Sequence, residues 1–90
     1  MRVRPVPGLN VSVDADGRLD VAAPARRFRC GPAGTAMWLA LCQHDGDVAA
    51  AARMLASLWE TEPDNARADL DIWVEEMRDA GLVRSEPRLP

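Results

Sequence analysis

The chain contains no lysine and no tyrosine, one histidine, one phenylalanine and two cysteines. Each shortage excludes something. Without lysine every cation is a guanidinium, and Gly31-Pro32-Ala33-Gly34 lacks both the lysine and the spacing of a phosphate-binding loop. The single histidine, His44, sits in a Gly/Asp-rich break and reads as a solvated loop residue, because no nucleophile is paired with it. Cys42 is two positions away, but i, i+2 neighbours do not face each other on a helix. Cys30 and Cys42 offer no CxxC or Cys/His spacing, so no metal site is expected and no cofactor. Both lie among apolar residues and read as reduced, buried thiols, which suits a cytoplasmic location. Met1-Arg2-Val3-Arg4-Pro5 has no apolar stretch of the signal-peptide kind, and no apolar run approaches the ~18 residues of a membrane span. An enzyme is therefore not expected.

What is present suits one small domain. Ninety residues, 48% of them apolar, can bury a modest core. That core must lean on Trp38, Trp59, Trp73 and Phe28, the only aromatic residues. Net charge is −3, which argues against a generic nucleic-acid binder. The charge is uneven. Arg2, Arg4, Arg18, Arg26, Arg27 and Arg29 crowd the first third, while Asp64, Asp69, Asp71, Glu75, Glu76 and Asp79 crowd the last. Those acids match no calcium loop and read as a solvated face.

Periodicity gives the order β-β-β-α-α-α. Leu9, Val11 and Val13 alternate with Asn10, Ser12 and Asp14 as in a half-buried strand. Asp16-Gly17 suits a hairpin turn, and Leu19, Val21 and Ala23 continue the alternation to Pro24. Residues 26–30 form a third strand, with Phe28 and Cys30 inward and Arg27 and Arg29 outward. Helix one begins at Pro32 and runs to about Cys42, with Gly34, Met37, Trp38 and Leu41 on one face. Asp47 caps helix two, which runs from Val48 to about Trp59 with Val48, Ala51, Ala52, Leu55, Leu58 and Trp59 as its stripe. Helix three runs from about Asp64 to Ala80. It buries Ala66, Leu70, Trp73, Val74 and Met77 and ends at Gly81. Leu82 and Val83 pack back as an apolar clasp. The expected fold is α+β and winged-helix-like: a three-stranded antiparallel sheet followed by three helices. The domain spans 1–84, and 85–90 is a disordered tail.

The arginine strand has two readings. Charges on an edge strand discourage aggregation. The same edge can also accept an extended peptide by strand addition. Residue types alone do not choose between them. Ile72 projects from the polar side of helix three and is a candidate contact for a partner protein. A winged-helix DNA-binding transcription factor is the alternative function, but the acids of helix three would repel phosphate.

The ordered set of segments resembles the PqqD-like family, domains that recognise leader peptides of ribosomally made, post-translationally modified peptides. The resemblance covers about residues 3–84. Phe28 near the end of strand three leads into the apolar helix from Gly34 to Leu41. Asp45-Gly46-Asp47-Val48 resembles the family's break before helix two. Residues 66–70 and the run from Trp73 to Gly81-Leu82-Val83 resemble its closing helix. Stand-alone versions from lasso-peptide pathways are the most similar in character. One departure is Cys30-Gly31, where the family often has Leu-Asn, which leaves the pairing register at the strand exit open.

The resemblance implies a non-catalytic chaperone that binds a precursor peptide's leader by strand addition. It would deliver the leader to a modifying enzyme: a leader peptidase, a cyclase or a radical enzyme. Carried onto this chain, the groove wall is Arg26, Arg27, Phe28, Arg29 and Cys30. The floor is Asp69, Trp73 and Glu76, and Arg27 and Arg29 would pair with leader carboxylates. Neither nucleic acid nor membrane is an expected partner.

Overall fold

A computed structural model of the chain describes residues 2–24 and 26–86. The elements are β1 (Arg2–Pro5), β2 (Asn10–Val13), β3 (Leu19–Ala23), β4 (Arg26–Cys30), α1 (Pro32–Gln43), α2 (Val48–Leu58), α3 (Pro63–Asp79) and β5 (Val83–Glu86). The expected three-stranded antiparallel sheet is β2-β3-β4, and the three helices follow it. Its β2–β3 hairpin turns at Gly17 (φ +77°), and Asp14 Oδ1 accepts hydrogen bonds from the amides of Asp16 and Arg18 at 2.9 and 3.0 Å.

Periodicity did not reveal two of the strands. β1 and β5 pair antiparallel with Arg2 opposite Glu86 and Val3 opposite Ser85. Each is four residues long and β1 holds one buried apolar side chain, Val3, which is too short a pattern to read as a strand. Ser85 and Glu86 thus belong to a ribbon rather than to a tail; positions 87–90 of the expected tail lie outside the described residues. Gly46 explains the Asp45-Gly46 break. Its φ is +81°, and a Cβ there would sit 2.4 Å from the Val3 carbonyl oxygen. Only glycine lets β1 cross at this distance, and Val3 N–H donates to the Gly46 carbonyl at 2.9 Å.

The core gathers Leu19 and Val21 of β3, Cys30 of β4, and the apolar faces of the three helices. All five residues expected to be buried on α3 are buried, as are Gly34, Met37, Trp38 and Leu41 on α1. Leu82 and Val83 are buried after Gly81, as the clasp requires.

Three burial expectations fail. Val11 and Val13 pair with Val21 and Leu19, yet remain 44% and 49% exposed. Alternation fixes the face they occupy, but whether a second layer covers that face depends on the helices. Leu58 is 61% exposed. At about 100° per residue it falls roughly 90° from the centre of the α2 stripe, and Ala56 is buried in that stripe instead. Cys42, in the last turn of α1, is exposed, whereas Cys30 is buried.

Candidate peptide-binding groove

Among the described residues, strand β4 is an edge of its sheet. The Asp14 amide donates to the Arg18 carbonyl across the hairpin at 3.0 Å. In an antiparallel ladder such hydrogen-bonded pairs recur every second residue, so Ser12–Asp20 and Asn10–Ala22 are bonded pairs. The backbone groups of Val21 and Ala23 must then point the other way, towards Phe28 and Arg26, and the Leu19 amide, on the same side, donates to Thr35 Oγ1 at 2.8 Å. The N–H and C=O groups of Arg27 and Arg29 are left facing out of the sheet. They form a two-residue template for a further strand.

Side chains of β4 alternate across the sheet. Phe28 and Cys30 lie opposite Val21 and Leu19 on the core side; Arg27 and Arg29 lie on the outer face. At one end of β4, Arg26 Nη1 donates to the Ala80 carbonyl at the C-cap of α3, 3.3 Å away. At the other end Cys30 meets Trp73. A Cβ on Gly34 would lie 2.8 Å from Cys30 Cβ and 3.2 Å from Trp73 Nε1. Glycine at the start of α1 therefore lets the strand, the helix and the indole converge.

These two contacts give the direction of the groove. Four strand steps span about 13 Å, and the seven helical steps from Trp73 to Ala80 span about 10 Å. Strand β4 therefore runs alongside the second half of α3, in the opposite sense. Asp69, Trp73, Glu76 and Ala80 stand at i, i+4, i+7 and i+11, one row along the helix, and Trp73 and Ala80 of this row meet β4. Trp73 is buried, Asp69 and Glu76 are exposed, and Trp38 packs edge-on against Trp73 at 6.4 Å and 87°. Burial pushes the Cys30 thiol above its ordinary range, while the Trp73 indole N–H pulls it back. Cys30 is thus a neutral apolar wall element.

The candidate residues are divided by the structure. Arg26, Phe28 and Cys30 share the core-side face of β4, and Asp69, Trp73 and Glu76 share one row of α3. Arg27 and Arg29 offer their backbone to the edge but project their side chains from the far face. Arg27 Nε donates to Asp20 Oδ1 and Oδ2 at 2.9 and 3.0 Å, and Nη2 also reaches Asp20. This guanidinium holds the Asp20 carboxyl below the usual carboxylate range. Arg29 lies opposite Asp20 in the ladder and 3.8 Å from Asp14 Oδ2. Ile72, 62% exposed, stands between Asp69 and Glu76 in the next row outward, so it borders the groove's open rim.

Sequence reading missed Gly34 as a crossing point, the Ala80 carbonyl, and Asp20. Once the hairpin register is fixed, Asp20 falls on the same face as Arg27 and Arg29, and that signal was present in the alternation.

Two concavities lie elsewhere. A cavity of about 200 Å³ between α1 and the β1–β5 ribbon is lined by Trp38, Leu41, Cys42 and Val83 among others. A wider cleft of about 590 Å³ lies on the opposite flank of α3, by Arg67, Asp71, Val74 and Arg78. Neither is the β4 groove. A strand-binding edge is open in the plane of the sheet and has no need of enclosure.

The sequence profile of the family described as Coenzyme PQQ synthesis protein D (PqqD) matches residues 21–83. No curated protein matches the chain significantly. Two solved structures share the fold. "TbiB1 in Complex with the TbiA(beta) Leader Peptide" aligns over 94% of this chain and 99% of its own, with TM-score 0.81 and 9% identity. "Lasso peptide synthetase B1 complexed with the leader peptide" aligns over 94% and 100%, with TM-score 0.81 and 17% identity.

Proposed function

The chain belongs to the PqqD family, and from that premise we propose that it is a leader-peptide recognition domain. It binds the leader of a ribosomally made precursor by strand addition to β4, against the Asp69–Trp73–Glu76 row of α3. It then delivers the peptide to a separate modifying enzyme in the cytoplasm: a leader peptidase, a cyclase or a radical enzyme. The domain itself performs no chemistry. Ile72, on the rim, is the candidate contact with that enzyme.

The carrying observation is the unpaired edge of β4 running beside α3, with the Arg27 and Arg29 amides and carbonyls facing outward. The two matched folds, each described in complex with a leader peptide, support the same reading. Energetics set what else is required. Four backbone hydrogen bonds contribute roughly 1 kcal/mol each, which does not exceed the cost of association. Apolar side chains of the leader must therefore bury themselves against Phe28, Cys30 and Trp73.

The test is a titration with synthetic leader peptides of ribosomally made precursors. Amide resonances of residues 26–30 should shift, and Trp73 fluorescence should change with the same midpoint. Binding that leaves both untouched would move the site away from β4.

A further inference from the structure

We propose that the outer face of the β4 edge reads a single carboxylate side chain on the bound strand through Arg29, and that Asp20 limits the reading to one by occupying Arg27. The inference rests on strand addition at β4 and names what that site selects: an extended peptide with an acidic residue at one outward position.

The two arginines look equivalent in sequence, two positions apart on one face. Their surroundings differ. Asp20 fills the fork of Arg27 with both carboxylate oxygens, and its own side chain is only 17% exposed. That pair is locally neutral, with Nε and Nη2 of Arg27 both engaged, although the Arg27 side chain is 67% exposed. The pairing raises the proton affinity of Arg27 and lowers that of Asp20, as a closed ion pair does. Arg29 is 63% exposed; Asp20 lies opposite it across the β3–β4 ladder but is engaged by Arg27, and Asp14 is 3.8 Å away. Asp14 Oδ1 holds the hairpin turn through two amides, and Oδ2, the atom nearest Arg29, is beyond hydrogen-bond distance. Donors of Arg29 are therefore open to a partner.

Strand geometry fixes where that partner comes from. A residue directly opposite Arg29 on an added antiparallel strand shares its face, with Cβ atoms roughly 5 Å apart. The next residue turns to the α3 side, opposite Phe28, and the one after it meets the neutral Arg27–Asp20 pair. A carboxylate is favoured at the first outward position, and no charge is favoured at the second. An exposed ion pair of this kind corresponds to a preference of about two- to fivefold in affinity.

The experiment selects random twelve-residue peptides, displayed on phage, against the full chain, and checks by amide shifts that selected peptides engage β4. Selected peptides should carry Asp or Glu at one outward position. Replacing that acid with its amide should weaken binding about two- to fivefold. Arg29→Gln should erase the preference, Arg29→Lys should retain it, and Arg27→Gln, which frees the Asp20 carboxylate opposite Arg29, should weaken it. Asp20→Asn should release Arg27 and create a second acid preference two residues along. Peptides that engage β4 with no acid preference, or a preference surviving Arg29→Gln, would overturn the inference while leaving strand addition intact. Selected peptides that bind without shifting β4 amides, or no selection at all, would overturn the strand-addition reading and the inference with it.

Discussion

Among the described residues the β2-β3-β4 sheet has two free edges, and they differ in what stands beside them. Strand β2 exposes the backbone of Val11 and Val13 as strand β4 exposes that of Arg27 and Arg29. On β2 the core-side residues are uncovered valines. On β4 the core-side residues are Phe28, packed against the core, and buried Cys30, with Trp73 alongside and Ala80 taking the Arg26 side chain. The difference lies in the neighbours, not in the hydrogen-bonding pattern. An edge alone gives weak, sequence-blind pairing. An edge with a helix wall adds apolar burial and a selective surface.

The largest expected effect comes from removing that wall's closeness. Gly34→Val would force β4 and the Trp73 indole apart, because even a Cβ meets Cys30 at 2.8 Å. Stability should fall by about 2–3 kcal/mol, read by urea unfolding, and leader binding should disappear. The β2–β3 hairpin amides should keep their shifts; if the two edges respond equally, the contrast between them is wrong.

A smaller effect isolates the backbone. The outward amide of Arg27 makes no ladder bond, so Arg27→Pro removes a donor needed only by an added strand. Leader affinity should drop by roughly tenfold, about 1.4 kcal/mol, at the upper end for one hydrogen bond. Val11→Pro makes the same change on the other edge and should leave affinity unchanged in the same titration. Equal losses would mean that both edges, or neither, take the peptide.

The smallest effect is acid sensitivity. Asp20 is held below the usual carboxylate range by the Arg27 side chain, so its contribution is present above about pH 4 and is lost as pH falls through the lowered folded value. Asp45, held down by Arg4, and Asp47, held down by the Ala50 amide, act in the same direction. Denaturant midpoints should be flat from neutral pH to about 5 and fall below about 4. Asp20→Asn should make that fall shallower. An Asp20→Asn profile identical to the parent's would argue that the Arg27–Asp20 pair does not close in solution.

Much of the architecture was legible in the chain. Alternation placed Phe28 and Cys30 on one side of β4 and Arg27 and Arg29 on the other, and the helical period identified Leu70, Trp73, Val74 and Met77. These are local regularities, set by the two-residue strand repeat and the 3.6-residue helix repeat. The ribbon of β1 and β5 was not legible, because its pairing joins segments about 80 positions apart and each holds too few apolar residues to show a period. Exposure of Val11 and Val13 was not legible either, because a strand's sequence names its faces but not what lies over them.

The candidate site divides along the same line. The sequence by itself determined that an arginine-rich strand and an acidic helix with one core tryptophan would exist, since each is specified within a few residues. Only the tertiary structure decided that the two run side by side, converging at Gly34, with Arg27 taken by Asp20 and Arg29 left open. Those relations depend on distances between distant segments, and they are set by which surfaces the whole chain buries together.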